Sequence, residues 1–94
     1  MLGHQEPYNR CIVDTLNLQP QHRVLDLGCG TGVLTRLIAD KLDPSAGGFC
    51  LGIDAAAKMI AVADKKRSSP SCRFDVMAAE NLVLEDGYFD AVVS

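Results

Sequence analysis

The run Val24-Leu25-Asp26-Leu27-Gly28-Cys29-Gly30-Thr31-Gly32 places three alternate glycines directly after a short apolar segment and directly before a helical pattern. A chain that turns this sharply needs backbone angles that residues with a Cβ adopt reluctantly. The missing Cβ atoms also let a ligand lie against bare peptide groups. Such a loop fits the carboxyl edge of a parallel sheet, where open α/β folds hold their ligands, and equally fits an ordinary strand-to-helix turn. The flanking segments and neighbouring polar residues separate these readings.

Arg23–Leu27 is short, mostly apolar and bounded by turn residues, which predicts a buried parallel strand. After the loop, Leu34, Leu37, Ile38 and Leu42 share one helical face, and Asp43–Gly48 breaks that helix. Phe49–Ile53 predicts a second strand ending at Asp54, followed by a helix with Ala56, Met59, Ile60 and Ala63 inward. Ser68–Ser71 is a polar turn and Cys72–Val76 alternates as a third strand. A mixed segment, Met77–Tyr88, contains the turn Glu85-Asp86-Gly87 and leads to a last strand, Phe89–Val93. Ahead of all this, Tyr8, Cys11, Ile12 and Leu16 predict one face of a helix opened by Pro7 and stopped at Asn17–Gln21. Strands alternating with helices of this length predict a parallel sheet with right-handed crossovers.

A length of 94 residues accommodates one small domain, and 48% hydrophobic with 22% charged residues fits a globular chain. Nine basic against twelve acidic residues, net charge −3, give no electrostatic footprint for nucleic acid or an anionic membrane surface. The basic cluster Lys65-Lys66-Arg67 reads as the solvated end of a helix. Cys11, Cys29, Cys50 and Cys72 are widely spaced, and neither His4 nor His22 stands at ligand spacing to them, so no metal site is expected. Each cysteine lies in or beside an apolar segment and is expected as a small buried hydrophobe in a reducing compartment. Residues 1–6 lack the basic and apolar regions of a secretory signal, and no apolar run approaches membrane-spanning length. A cytoplasmic protein is the expectation.

The pattern disfavours a nicotinamide-dinucleotide loop and excludes a P-loop. Val33 stands where a dinucleotide fingerprint needs its third glycine, and no Gly-Lys-Ser/Thr ending is present. Asp26-Leu27-Gly28-Cys29-Gly30-Thr31-Gly32 instead resembles, residue for residue, the D-x-G-x-G-x-G first motif of class I S-adenosylmethionine (SAM) dependent methyltransferases. SAM brings an ammonium, a carboxylate and a sulfonium but no phosphate, and an anionic Asp26 suits such a ligand. The resemblance covers nearly the whole chain and is of the type 11 or quinone-methyltransferase kind. It implies a partial Rossmann-like three-layer α/β sandwich, a parallel sheet in the order 3-2-1-4 with helices on both faces. Residues 1–94 would form its SAM-binding portion, with the family's later strands absent. The fourth strand would then be an open edge carrying Ala91, Val92 and Val93, a template for self-association.

In the resemblance, the backbone of Gly28, Cys29, Gly30 and Gly32 and the carboxylate of Asp26 hold the amino-acid end of SAM. Asp54, with Ala55 beside it, would receive the ribose hydroxyls; a carboxylate there also suits the start of a helix, and both roles are compatible. Met59 would lie on the adenine face, or pack in the core with Ile60 and Ala63. Met77–Leu82 resembles the adenine-binding stretch, but Ala78 occupies the usual acidic position, which leaves a backbone contact at Ala79 and the nearby Glu80. Ser94 ends the strand expected beside the transferable methyl group, and the preferred reading of it is a buried strand terminus. No catalytic base is indicated. The expected activity is transfer of a methyl group to a small-molecule acceptor; the competing reading is a non-catalytic nucleotide-binding or interaction module needing a partner chain.

Overall fold

Parallel strands need crossovers of a dozen residues or more, and the spacing of the apolar runs supplies them. In the computed structural model, which describes residues 2–67, 69–82 and 87–94, they are β1 (Arg23–Leu27), β2 (Phe49–Asp54), β3 (Cys72–Val76) and β4 (Ala91–Val93). They form one parallel sheet in the order β3-β2-β1-β4. The helices are α1 (Leu2–Leu16), α2 (Val33–Ala39) and α3 (Ala57–Lys65). Short 3-10 turns occupy Pro44–Ala46 and Ala79–Asn81.

Strand side chains alternate between faces, and the register aligns Val24 with Cys50 and Ala91, and Cys50 with Cys72. This face packs with Val13, Ile38, Ala39 and Leu42 into the buried core, beside partly buried Leu34, Leu37 and Phe74. Among the described residues the helical cover lies on this face. On the other, Phe89 packs edge-on against Phe49 and Tyr88, with ring centroids 6.2 and 4.9 Å apart. The Arg73 and Arg23 guanidinium groups lie 4.1 and 4.5 Å from the Phe49 and Tyr88 ring centroids. No described helix is long and apolar enough to cross a membrane.

Three strand boundaries agree with the expectation to the residue, and the fourth strand is shorter. It starts at Ala91 because Asp90 is engaged with the start of β1: its N–H donates to the Arg23 carbonyl and its carboxylate accepts from the Arg23 N–H, each at 2.7 Å. The first helix begins at Leu2, so Pro7 lies within it. Proline lacks the N–H that would bond to the carbonyl four residues back. The inward stripe of this helix is also turned by one position. Val13 is its buried residue and Asn9, Ile12 and Leu16 are half-buried, whereas Tyr8 and Cys11 are exposed. Cys11 is therefore not a buried hydrophobe; Cys50 and Cys72 are.

In α3, Ile60 and Ala63 face inward, but Ala56 precedes the helix and Met59 is 45% exposed. With 3.6 residues per turn, a helix whose contact line runs through 60 and 63 carries position 59 to its flank. The basic cluster after α3 is exposed, and Arg67 pairs with Asp64 at 3.7 Å. Ser68, Glu85 and Asp86, expected in turns, lie outside the described residues.

Gly32 closes the loop with φ of 83°. A Cβ placed there would lie 2.6 Å from the Phe74 ring and 3.1 Å from the Ala63 methyl, so this glycine lets α3 and β3 close beneath the turn. Gly32→Ala should destabilise the fold by about 2–5 kcal/mol, from left-handed backbone strain plus overpacking. Urea denaturation checks this, and a loss under about 1 kcal/mol would show that the ring gives way freely.

Candidate cofactor site

The glycine turn leaves β1 at the carboxyl edge of the sheet. Gly28, Gly30 and Gly32 all have positive φ, of 69°, 58° and 83°. A Cβ on Gly28 or Gly30 would meet nothing within 4 Å, so these two peptide units border open space. The turn is tied down on one side by the Cys29 N–H, which donates to the Ile53 carbonyl at 3.0 Å. On the other, the Gly30 N–H donates to Asp54 Oδ2 at 2.9 Å.

Asp54 joins three segments. Its Oδ1 accepts from the Ala56 N–H at 2.9 Å, which shapes the entry into α3, and its carbonyl accepts from the Met77 N–H at 3.0 Å, which holds the stretch after β3. The Ala56 N–H, and after it the Gly30 N–H, keep the Asp54 carboxyl below its ordinary pKa. A carboxylate oxygen has two lone-pair sites, so each oxygen of Asp54 retains acceptor capacity. The helix-entry and ligand readings of Asp54 therefore do not compete for the same atoms.

Asp26 is 3% exposed and its Oδ2 accepts a 2.7 Å hydrogen bond from Thr35 Oγ1. It also lines a cavity of about 410 Å3 with Gly28, Cys29, Leu34 and Ser94, closed on the far side by Tyr8, Asn9 and Ile12 of α1. Burial pushes the Asp26 carboxyl up and the Thr35 hydroxyl opposes that shift. Burial, with the charges of Asp26 and Asp54, pushes the Cys29 thiol to about 12, which leaves it protonated and unsuited to nucleophilic attack.

The structure thus brings Asp26, Gly28 and Cys29 around one cavity and fastens Gly30 to Asp54. Ala55, Ala79 and Glu80 are exposed on the segments that follow β2 and β3, joined to that cluster through the Asp54 carbonyl. Met59 lies exposed on α3 rather than in the core. Ser94 lines the cavity.

Four participants were not anticipated. Thr35 reads in the sequence as one more helical residue. Tyr8 and Asn9 reach the cavity from a helix whose docking no local pattern encodes. Gly52 did carry a signal, a glycine inside a strand, which often marks close approach of other groups. A Cβ there would lie 2.8 Å from Thr35 Oγ1 and 2.9 Å from Cys29 Cβ and Sγ.

Comparison with known proteins agrees with this geometry. The sequence profile of a methyltransferase domain family matches residues 24–94. Demethylmenaquinone methyltransferase from Beutenbergia cavernae is 36% identical over 92 residues, covering 97% of this chain and 35% of that protein. Malonyl-[acyl-carrier protein] O-methyltransferase from Bacillus cytotoxicus is 39% identical over 72 residues, 77% of this chain and 24% of that protein. A crystal structure of a SAM-dependent methyltransferase from Listeria monocytogenes superposes with a TM-score of 0.71 at 28% identity, covering 89% of this chain and 38% of that one. The chain belongs to the methyltransferase domain family, of the class I SAM-dependent kind, and SAM is the cofactor of that class. It spans between about a quarter and a little over a third of the length of these curated relatives.

A carboxylate whose folded pKa is raised burdens the folded state above that pKa, and the burden fades as pH falls toward the unfolded value. Asp26→Asn should therefore stabilise the ligand-free chain at pH 7 by about 0.5–2 kcal/mol, with the gain shrinking toward pH 4. Urea denaturation at both pH values checks the sign; a variant less stable than wild type at pH 7 contradicts it.

Proposed function

We propose that this chain binds SAM across the glycine turn and forms the donor-binding portion of an enzyme that methylates a small-molecule acceptor. The observation that carries the reading is the Gly30 N–H to Asp54 bond. It joins the bare peptides of the turn to a carboxylate with acceptor capacity to spare, at the edge of a cavity floored by a buried Asp26.

The donor set suits the chemistry of the ligand. Asp54 supplies the acceptors that vicinal ribose hydroxyls need, beside Ala55. Asp26 supplies negative charge for an ammonium within a cavity bounded by Gly28 and Cys29, with Gly30 further round the turn and Gly32 closing it against the core. Met59 offers an exposed apolar side chain to an adenine face, and Ala79 with Glu80 offers the backbone and acid beside its edge.

The bound cofactor would supply a methyl group already activated by positive sulfur. The residues of this chain then have the task of orientation, with the turn fastened at Cys29 and Gly30 and α1 lining one side of the cavity. Cys29 is kept protonated and gives no competing nucleophile. The small-molecule acceptor is supported by the similarity to demethylmenaquinone methyltransferase, while the relative that acts on malonyl-[acyl-carrier protein] takes a carrier-bound acceptor.

Calorimetry with SAM and with S-adenosylhomocysteine tests the reading. Both should bind, and Asp54→Ala should weaken binding by about 1–3 kcal/mol through lost hydrogen bonds to a charged acceptor. Heat with NAD and none with either sulfur nucleoside would overturn it.

A further inference from the structure

Thr35 is the one side chain that holds Asp26 from the helical side, and the packing around it is arranged to leave its hydroxyl no other course. It sits wholly buried in the first turn of α2. A helical threonine commonly returns its hydroxyl to the carbonyl four residues back. Here the Thr31 carbonyl accepts instead from Arg36 Nη1 at 2.8 Å, and Thr35 Oγ1 donates across to the sheet, 2.7 Å from Asp26 Oδ2. Beneath it Gly52 leaves room for the hydroxyl that any Cβ would take. Segments β1, β2 and α2 thus converge on one O–H···O contact at the floor of the cavity.

We infer that Thr35 is a positioning residue for the amino-acid end of the cofactor, its hydroxyl fixing the Asp26 carboxylate in the attitude that receives the ligand's ammonium. This rests on the reading of the turn as a SAM site and goes beyond it by assigning a residue outside the glycine motif. A buried carboxylate with a single side-chain donor has its rotation set by that donor, and a geometric error of an ångström at such a site is costly. The hydroxyl also favours the ionised form of Asp26, against burial. The titratable groups facing Asp26 are the Cys29 and Cys50 thiols, both pushed up in part by its charge, with Asp54 beyond Cys29 and Tyr8 across the cavity. Both thiols stay neutral, so Thr35 is left to favour the charge.

The test compares S-adenosylhomocysteine with methylthioadenosine, which keeps the adenine and ribose but lacks the amino-acid end. Thr35→Val removes the hydroxyl at nearly constant shape. It should weaken S-adenosylhomocysteine about tenfold, the effect of losing one hydrogen bond to a charged group, and leave methylthioadenosine unchanged. Thr35→Ser should restore affinity to within about threefold of wild type. The acid limb of the S-adenosylhomocysteine profile should move to higher pH in Thr35→Val, because the donor that lowers the Asp26 pKa is gone. Equal weakening of both nucleosides, or no weakening of either, overturns the inference. If Thr35→Val does not fold, the Asp26→Asn/Thr35→Val double variant, which carries no buried charge, should bind S-adenosylhomocysteine no more weakly than Asp26→Asn alone; an additive loss overturns the inference. A wild-type chain that binds methylthioadenosine but gains nothing from the amino-acid end sinks the inference alone, and one that binds neither nucleoside sinks the proposed function.

Discussion

The bond from the Gly30 N–H to the Asp54 carboxylate is the constraint on which the site depends. A loop of alternate glycines has many accessible conformations, and ordering it costs entropy that its own missing side chains cannot offset. Asp54 offsets part of that cost from the neighbouring strand, while the Cys29 N–H does the same at the Ile53 carbonyl. Because Asp54 also engages Ala56 and, through its carbonyl, Met77, one residue aligns the ends of three segments that arrive from distant parts of the chain. The carboxyl edge is thereby a shaped surface before any ligand is present.

The glycines of this region divide into two physical kinds. Gly28 and Gly30 border open space, so their missing Cβ atoms leave room above the turn. Gly32 and Gly52 are filled positions, hemmed by Phe74 and Ala63 in one case and by Thr35 and Cys29 in the other. The spacing of the motif therefore reflects two demands at once, access from outside and close packing from beneath. A loop built for access alone would not need its last glycine.

Asp26 shows the opposite balance from Asp54. Asp54 is stabilised as a carboxylate by backbone donors at the surface, whereas Asp26 is buried and, among the described residues, has the Thr35 hydroxyl as its side-chain donor. A buried carboxyl so poorly compensated works against stability. Under the proposed function, this charge is the one that a cationic ligand group would neutralise.

Period-two and one-face helical patterns determined three of four strand boundaries and the position of the turn, because each is encoded within a few neighbouring residues, whereas the strand order came only through the family resemblance. The loop motif with its preceding aspartate, and Asp54 about two dozen residues on, pointed to the methyltransferase family for the same reason. Tertiary structure alone decided which glycines face outward, that the fourth strand waits for Asp90 to engage Arg23, that Met59 is exposed, and that Thr35 meets Asp26. Each of these depends on the rotation and depth at which a helix or strand docks against segments far away in the chain. That docking is settled by volume and hydrogen-bond satisfaction across the core, quantities that no local spacing records.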